Sequence, residues 1–472
     1  MLLCVSVAGA QTKSTMGGWA KQPPMGWNSY DAYYGSITEK QFLAEVEVLQ
    51  SRLLPLGYEY AVIDYCWFNP GPVNWDPTKW KTFDVDHSRK SYGEKFKGMC
   101  IDPFGRLLPA VNRFPSAKGA AGFRKIADLV HAKGMKFGIH MMRGIPRDAV
   151  NRNLPVKDTR YSAKDIANTA DSCKWNDSMY GVDYTKPGAE AYYNSVIDLY
   201  ASWGVDFIKV DDIASPVYHQ GEIELIRKAI DRSGRKMLLS LSPGDALLGY
   251  AKHADQHANM YRISNDVWDR WRDILHLFDL TNNWSSYSGD GSWPDADMLP
   301  LGKLCLTGYP DSAANPGKKE HVSYLNADEQ KTMMSLWCLA RSPLIWGGSA
   351  LFSPESTFEI LSNTELLKIQ KNTMNNHQLY QPKQRADFAD YRIWVAESPD
   401  QETKYVAFFN LKNEPAEIEF NMDWEFWTGN YYATELWTGR SGRLKDKKLR
   451  SGQIAAHGVE VYRFDRKRPY VR

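Results

Sequence analysis

Between Pro24 and Gly348, short apolar runs alternate with longer segments of helical apolar spacing, and this alternation restricts the fold more than any other feature. Strands are expected at Pro24–Ser29, Tyr60–Asp64, Lys136–His140, Gly204–Asp211, Met237–Leu241, Tyr261–Ser264, Leu304–Thr307 and Leu344–Trp346. Helical spacing marks Glu39–Leu56, Phe123–Ala132, Ala189–Trp203, Ile223–Ile230, Trp268–Leu280 and Asp328–Arg341, with Gly134 as a C′ glycine. Strand–helix units repeated about eight times over roughly 350 residues predict an α/β fold, a closed (β/α)8 or TIM barrel with right-handed crossovers. An open doubly wound sheet is the alternative, but no Gly-x-Gly-x-x-Gly follows the first strand.

From about Asp390 the rhythm changes to short strands without helices: Tyr391–Glu397, Tyr405–Asn410, Ile418–Phe420, Glu435–Trp437 and Val459–Phe464, parted by turn residues such as Ser398-Pro399-Asp400. This predicts a C-terminal antiparallel β-sandwich. The expected division is 1–16 as a tail or signal peptide, 17–385 as the barrel and 386–472 as the sandwich. A chain of 472 residues is long enough for both.

Residues Met1–Ala10 are apolar and end Ala8-Gly9-Ala10, like the core and cleavage site of an export signal without its basic start, so an exported protein is expected. No other apolar run is long enough to span a bilayer. The charge of +2 is spread along the chain, with no basic tract for nucleic acid. No Cys-x-x-Cys pair suggests structural zinc, and neither metal nor organic cofactor is implied. Cys66, Cys305 and Cys338 lie in apolar stretches and read as buried thiols, whereas Cys100 and Cys173 lie in polar loops and could pair after export.

The strand Gly204–Asp211 turns abruptly from apolar to charged. Side chains of a strand alternate faces, so Lys209 and Asp211 share one and the neighbouring Asp212 faces away. Such a pair is costly as core and useful as a site, although a structural ion pair fits the stretch alone equally well. Barrel chemistry gathers at the C-terminal strand ends. Those ends supply Asp64, His140, Lys209, Asp211, Ser242, Arg262 and Asp266, with Asp295 and Asp297 on a following loop. Carboxylates flanked by cations suit glycoside hydrolysis, where one attacks or stabilises the anomeric carbon and another protonates the leaving oxygen. The 17 Trp and 26 Tyr lean the same way, since their flat faces suit sugar rings.

Several motifs, in order, resemble glycoside hydrolase family 27, the α-galactosidase and melibiase group, from Gln22 to Phe464. They are Met25-Gly26-Trp27-Asn28-Ser29, Gly57-Tyr58-Glu59-Tyr60 with Ile63-Asp64 and Cys66-Trp67, Phe207-Ile208-Lys209-Val210-Asp211, Arg262 with Asp266, Asp295-Ala296-Asp297-Met298-Leu299, and Leu436-Trp437-Thr438-Gly439. The resemblance implies a retaining exo-glycosidase that acts on terminal α-linked galactose or a related sugar. Asp211 would be the nucleophile and Asp266 the acid/base, with their carboxyls about 5–5.5 Å apart. It also implies substrate contacts from Trp27, Asp64, Lys209, Arg262 and Asp297, to which Tyr65 and His140 are added at the strand ends. Asp212 is expected to be structural and Asp269 an exposed helix residue.

Departures from the family pattern surround the glycone. Tyr65 replaces a second Asp after Asp64, His140 replaces a Tyr, Ser242-Pro243-Gly244 replaces Cys-Glu-Trp, and Gly35 replaces a cysteine that often pairs with the one at Cys66. Arg143 would meet a substituted sugar or pair with a carboxylate such as Asp148. Alternative readings are a β-L-arabinopyranosidase or another α-pyranosidase, and, from other classes, a non-catalytic carbohydrate-binding barrel or a lyase using Lys209 as a Schiff base. Presence of both carboxylates argues against the first of these last two, and Asp211, by keeping Lys209 protonated, against the second.

Overall fold

A computed structural model describes residues 18–70, 99–119, 121–173, 178–289, 291–307, 319–379, 390–444 and 447–466. The expected signal at 1–16 lies outside these. Eight parallel strands form the main sheet: β1 Met25–Asn28, β2 Tyr60–Ile63, β3 Lys136–Met142, β4 Phe207–Asp211, β5 Leu238–Leu241, β6 Met260–Arg262, β7 Trp293–Asp295 and β8 Leu344–Trp346. Their order is β7-β6-β5-β4-β3-β2-β1-β8. The chain just beyond β7 closes the ring, because Leu299 bridges Trp346 in parallel and its N–H donates to the Ile345 carbonyl at 2.8 Å.

Strand parity explains how this ring makes a site. Tyr60, Val62, Phe207, Leu238, Met260, Trp293 and Ile345 pack together as one apolar cluster, the lining of the barrel interior. Two residues further along the same faces come Asp64, Lys209, Ser240, Arg262 and Asp295, so the interior changes from apolar to charged within one pleat. The alternate residues Ala61, Ile63, Ile208, Val210, Leu239, Leu241 and Tyr261 belong to the larger cluster beneath the helices.

The main outer helices are α1 Glu39–Arg52, α2 Arg124–Ala132, α3 Pro187–Ser202, α4 Gln220–Ser233, α5 Ala251–His257, α6 Trp271–Trp284 and α7 Ala327–Leu339. Capping boxes start α1, from Thr38 and Gln41, and α7, from Asn326 and Glu329. Between β3 and β4 a small antiparallel sheet joins Ile145–Pro146, Ala167–Asn168 and Met179–Val182.

Beyond the barrel, an antiparallel six-stranded sheet contains Met374–Gln378, Tyr391–Glu397, Lys404–Asn410, Tyr432–Glu435, Ser441–Arg443 and Val459–Asp465. One face, with Trp394, Ala396, Tyr405, Ala407, Phe409 and Val461, joins the large barrel cluster. The alternate residues Ile393, Val395, Val406, Phe408 and Phe464 pack under Phe420, Met422 and Trp427, next to a ribbon of Glu419–Asn421 and Lys448–Arg450. Period-2 alternation thus gives this sheet two buried faces, as a sandwich requires. His457 ties it to the barrel, stacking on Trp271 at 4.1 Å and bonding Glu329 at 2.7 Å.

Three expectations are corrected. The seventh strand is Trp293–Asp295, not Leu304–Thr307. Lys303–Leu304 instead pairs with His321–Val322 outside the barrel, and the Pro in Trp293-Pro294-Asp295 is what disguises the true seventh strand as a loop. The sixth helix runs from Trp271 to Trp284, so Trp268–Arg270 belong to the loop before it. Cys100 and Cys173 are not joined in a disulfide, and Cys173 packs against Tyr65, Cys66, Met142 and Met179. Cys66, Cys305 and Cys338 are buried as expected. A Cβ built on Gly35 would lie 2.9 Å from that of Cys66, so the two positions are adjacent here without a bond between them.

Candidate active site

The C-terminal strand ends open into a pocket of about 470 Å³, lined by Asp64, Tyr65, Lys209, Asp211, Ser242, Arg262, Asp266 and Asp297 among others. Polar side chains from six strands or their following loops therefore meet in one concavity.

Asp64 and Asp211 flank one cation. Lys209 Nζ lies 3.1 Å from Asp64 Oδ2, and the same oxygen accepts from Asn28 Nδ2 at 2.6 Å. The Tyr65 N–H donates to the other Asp64 oxygen at 2.7 Å. Burial alone would raise the Asp64 carboxyl, but Lys209, His140 and these donors bring it down to about 2. Lys209 is raised against its own burial by Asp64 and Asp211, so it stays charged. Asp211 Oδ2 lies 3.2 Å from His140 Nε2, and its Oδ1 accepts from the Asp212 N–H at 3.0 Å. Burial favours the protonated acid at Asp211; the His140 hydrogen bond and the His140 and Lys209 charges outweigh it and hold the carboxyl below its usual range. The result is an ionised carboxylate with both oxygens oriented, the state a nucleophile needs.

The opposite wall is built around Arg262, which spans Asp297 at 2.8 Å and Asp266 at 3.3 Å. Asp297 also accepts from the Val267 N–H at 2.8 Å, so one buried carboxylate fixes both the arginine and the loop carrying Asp266. Burial raises Asp297 despite Arg262, helped by Asp266 and Asp295. Asp266 differs from the other carboxylates in exposure: 67% of its side chain is accessible, against 17% for Asp211.

Most residues expected from sequence come together here, and two stand elsewhere. Trp27 is fully buried on the outer face of β1, beneath the helices, with its indole donating to the Gly348 carbonyl at 2.6 Å. Parity gives the reason: Asn28, on the other face of β1, is the residue that reaches Asp64. His140 is also fully buried, behind Asp211, with Tyr65 edge-on to its ring at 5.4 Å. Sequence reasoning missed Tyr30, Asp31, Asn265 and Trp268 on the pocket wall. Tyr30 and Asp31 directly follow the Met25–Ser29 motif, which was the available signal. Asp31 is buried with no hydrogen-bond partner for Oδ2 among the described residues, and burial together with Asp297 raises it well above the usual carboxylate range.

Arg143 and Asp269 are corrected. Arg143 pairs with Asp171 at 2.9 Å, Asp212 at 2.8 Å and Glu222 at 2.8 Å, whereas Asp148 pairs with Arg152. Its Nε also donates to the Asp212 carbonyl at 2.8 Å, and its backbone N–H to the Asp211 carbonyl at 3.0 Å. The guanidinium thus anchors the turn carrying Asp211 and does not line the pocket. Asp212 is structural, as expected. Asp269 is buried rather than exposed, bonding His321 at 2.8 Å and the Tyr324 N–H at 2.7 Å. Among the described residues, two groups of metal-type donors lie outside the pocket, Asp171–His219–Glu222 and Glu224–His253–His257. Arg143 already neutralises the first.

Residues 176–315 match the family model described as alpha galactosidase A, and residues 388–464 match the alpha galactosidase C-terminal beta sandwich domain. The chain is 24% identical to alpha-galactosidase 2 of Arabidopsis thaliana, covering 98% of this chain and 94% of that protein. A crystal structure of a GH27 β-L-arabinopyranosidase from Geobacillus stearothermophilus superposes with a TM-score of 0.86 at 39% identity, covering 95% of this chain and 98% of that one. A variant of the same enzyme in complex with arabinose gives 0.87 at 39%, covering 97% and 99%. Identity at this level over nearly the whole of both chains, on a closed barrel with a charged mouth and a β-sandwich, shows that the chain belongs to glycoside hydrolase family 27 and is a glycoside hydrolase.

Proposed function

We propose that this enzyme removes terminal β-L-arabinopyranosyl residues by a retaining double displacement, with α-D-galactosides as poorer substrates. Asp211 attacks the anomeric carbon while Asp266 gives its proton to the departing oxygen. Asp266 then takes a proton from the water that attacks the glycosyl ester, and Asp211 leaves as carboxylate. Three observations support these roles: Asp211 is held ionised, Asp266 is exposed at the mouth where leaving group and water pass, and Arg262 ties that wall together. Lys209 and Asp64 are placed to bind ring hydroxyls, and Arg262 those near the scissile bond.

The observation that carries the glycone is Tyr65. The galactosidases resembled here put a second carboxylate beside the one at Asp64, for the 4- and 6-hydroxyls. β-L-Arabinopyranose is the same ring without its C6 arm, and needs no partner for that hydroxyl. A phenol there is bulky, uncharged and nearly buried against His140. The relative at 39% identity that is described as a β-L-arabinopyranosidase points the same way.

Wild-type kcat/KM for 4-nitrophenyl β-L-arabinopyranoside should exceed that for the α-D-galactopyranoside by about 10–200-fold, the range one added or missing group commands in a closed pocket. Tyr65→Asp should move the ratio toward the galactoside. A wild type that prefers the galactoside, with a ratio Tyr65→Asp leaves unmoved, would overturn the glycone assignment while leaving the catalytic residues standing.

A further inference from the structure

Glu224 on α4 and His253 and His257 on α5 face one another on the outer layer of the barrel. One ligand atom from each lies within 4.8 Å of the other two. We propose that these three residues bind a divalent transition-metal ion of the zinc class, a role the sequence pattern alone gave no reason to expect. Two histidines four residues apart share a helix face, and an imidazole pair with one carboxylate is a common donor set for zinc. What distinguishes the cluster from a chance meeting of polar groups is the state of the second ring nitrogens. His253 Nδ1 is bonded to the Tyr218 hydroxyl at 2.8 Å, and His257 Nδ1 to the His253 carbonyl at 2.8 Å. Both Nδ1 atoms being engaged, Nε2 is the nitrogen left on each ring to coordinate, the arrangement that outer hydrogen bonds impose on metal-bound histidines.

The donors are also pre-positioned. The two imidazoles stack at 4.1 Å, which places them side by side before any ion arrives. His253 Nε2 already lies 3.1 Å from Glu224 Oε1, and Gln220 Nε2 holds the same oxygen at 3.0 Å. A tetrahedral zinc with bonds of about 2.0–2.1 Å separates its ligand atoms by roughly 3.3 Å, so modest side-chain rotation closes the site around an ion. The fourth position faces solvent through Glu224, whose side chain is 48% exposed, and a water can fill it.

An ion here would tie α5 to α4. The segment entering α5 starts in the pocket with Ser242 and Pro243 and ends on Tyr250, which stacks on Tyr218 at 4.3 Å. The site would therefore stabilise one wall segment from outside without touching substrate.

Untagged protein, stripped with chelator and dialysed, tests this by calorimetric titration with zinc chloride at pH 7.5. One site of micromolar affinity is expected, with a rise in Tm on zinc addition. His257→Ala and Glu224→Gln should each weaken binding at least tenfold and abolish the Tm rise; Glu224 is exposed enough for its variant to fold. Absence of zinc binding by the wild type, or unchanged affinity in Glu224→Gln and His257→Ala, would overturn the assignment.

Discussion

Asp211→Asn is expected to lower kcat on the order of 10⁴-fold or more, the scale on which loss of a nucleophile acts. Stability should change far less. Asparagine keeps the shape and can still accept from the Asp212 N–H, and Lys209 retains Asp64 at 3.1 Å. What the variant loses is the negative charge that His140 and Lys209 are arranged to stabilise. Steady-state kinetics on a nitrophenyl glycoside, with circular dichroism and Tm as the folding control, checks this. Asp266→Asn is the informative contrast. It should spare activated aryl glycosides, whose leaving groups need no proton, and suppress natural glycosides strongly. A folded Asp211→Asn enzyme that keeps a tenth of wild-type turnover would remove Asp211 from its assigned role.

Arg143→Met should destabilise the protein by about 3–5 kcal/mol, because it leaves buried carboxylates without their cation. The Asp212 and Glu222 side chains are 7% and 3% exposed, and both depend on this guanidinium. Even with Arg143 present, burial pushes Asp212 up to about 6 and raises Glu222. A carboxyl whose folded pKa is raised favours the folded state at low pH and loses that contribution as pH climbs through the folded value. Without the guanidinium both pKa values rise further. The deficit of the variant should therefore be smaller at pH 5 than at pH 8. Urea unfolding of both proteins at the two pH values measures it. Equal stability at pH 8, or a deficit larger at pH 5, would contradict the buried-network reading. Activity should fall as well, since the Arg143 side chain holds the backbone carbonyl and the carboxylate of Asp212, the residue next to Asp211.

The barrel was legible because parallel strands buried on both faces read as apolar runs, and seven of its eight strands stand out that way. The remaining one, β7 Trp293–Asp295, contains Pro294 and is only three residues long, so nothing local marks it as a strand; its pairing with β6 does. Site residues on strands, such as Asp64, Lys209, Asp211 and Arg262, were legible by their position at an apolar-to-polar switch. Residues on loops were harder. Trp268 and Asn265 reach the pocket only because the helix after them begins at Trp271, a boundary that apolar spacing cannot fix within three residues. Arg143 was misplaced for a different reason. Its partners Asp171, Asp212 and Glu222 come from three separated segments, and no spacing rule along the chain links it to any of them. Trp27 was avoidable: alternation along β1 already put Asn28, not Trp27, on the pocket face.

The most direct measurement is the ¹H NMR spectrum of the first sugar released from 4-nitrophenyl β-L-arabinopyranoside, recorded before mutarotation mixes the anomers. Double displacement through Asp211 predicts that β-L-arabinopyranose appears first and the α-anomer only later. Initial release of the α-anomer would mean a single inverting displacement by water, and would contradict the assignment of Asp211 as nucleophile and Asp266 as its acid/base partner.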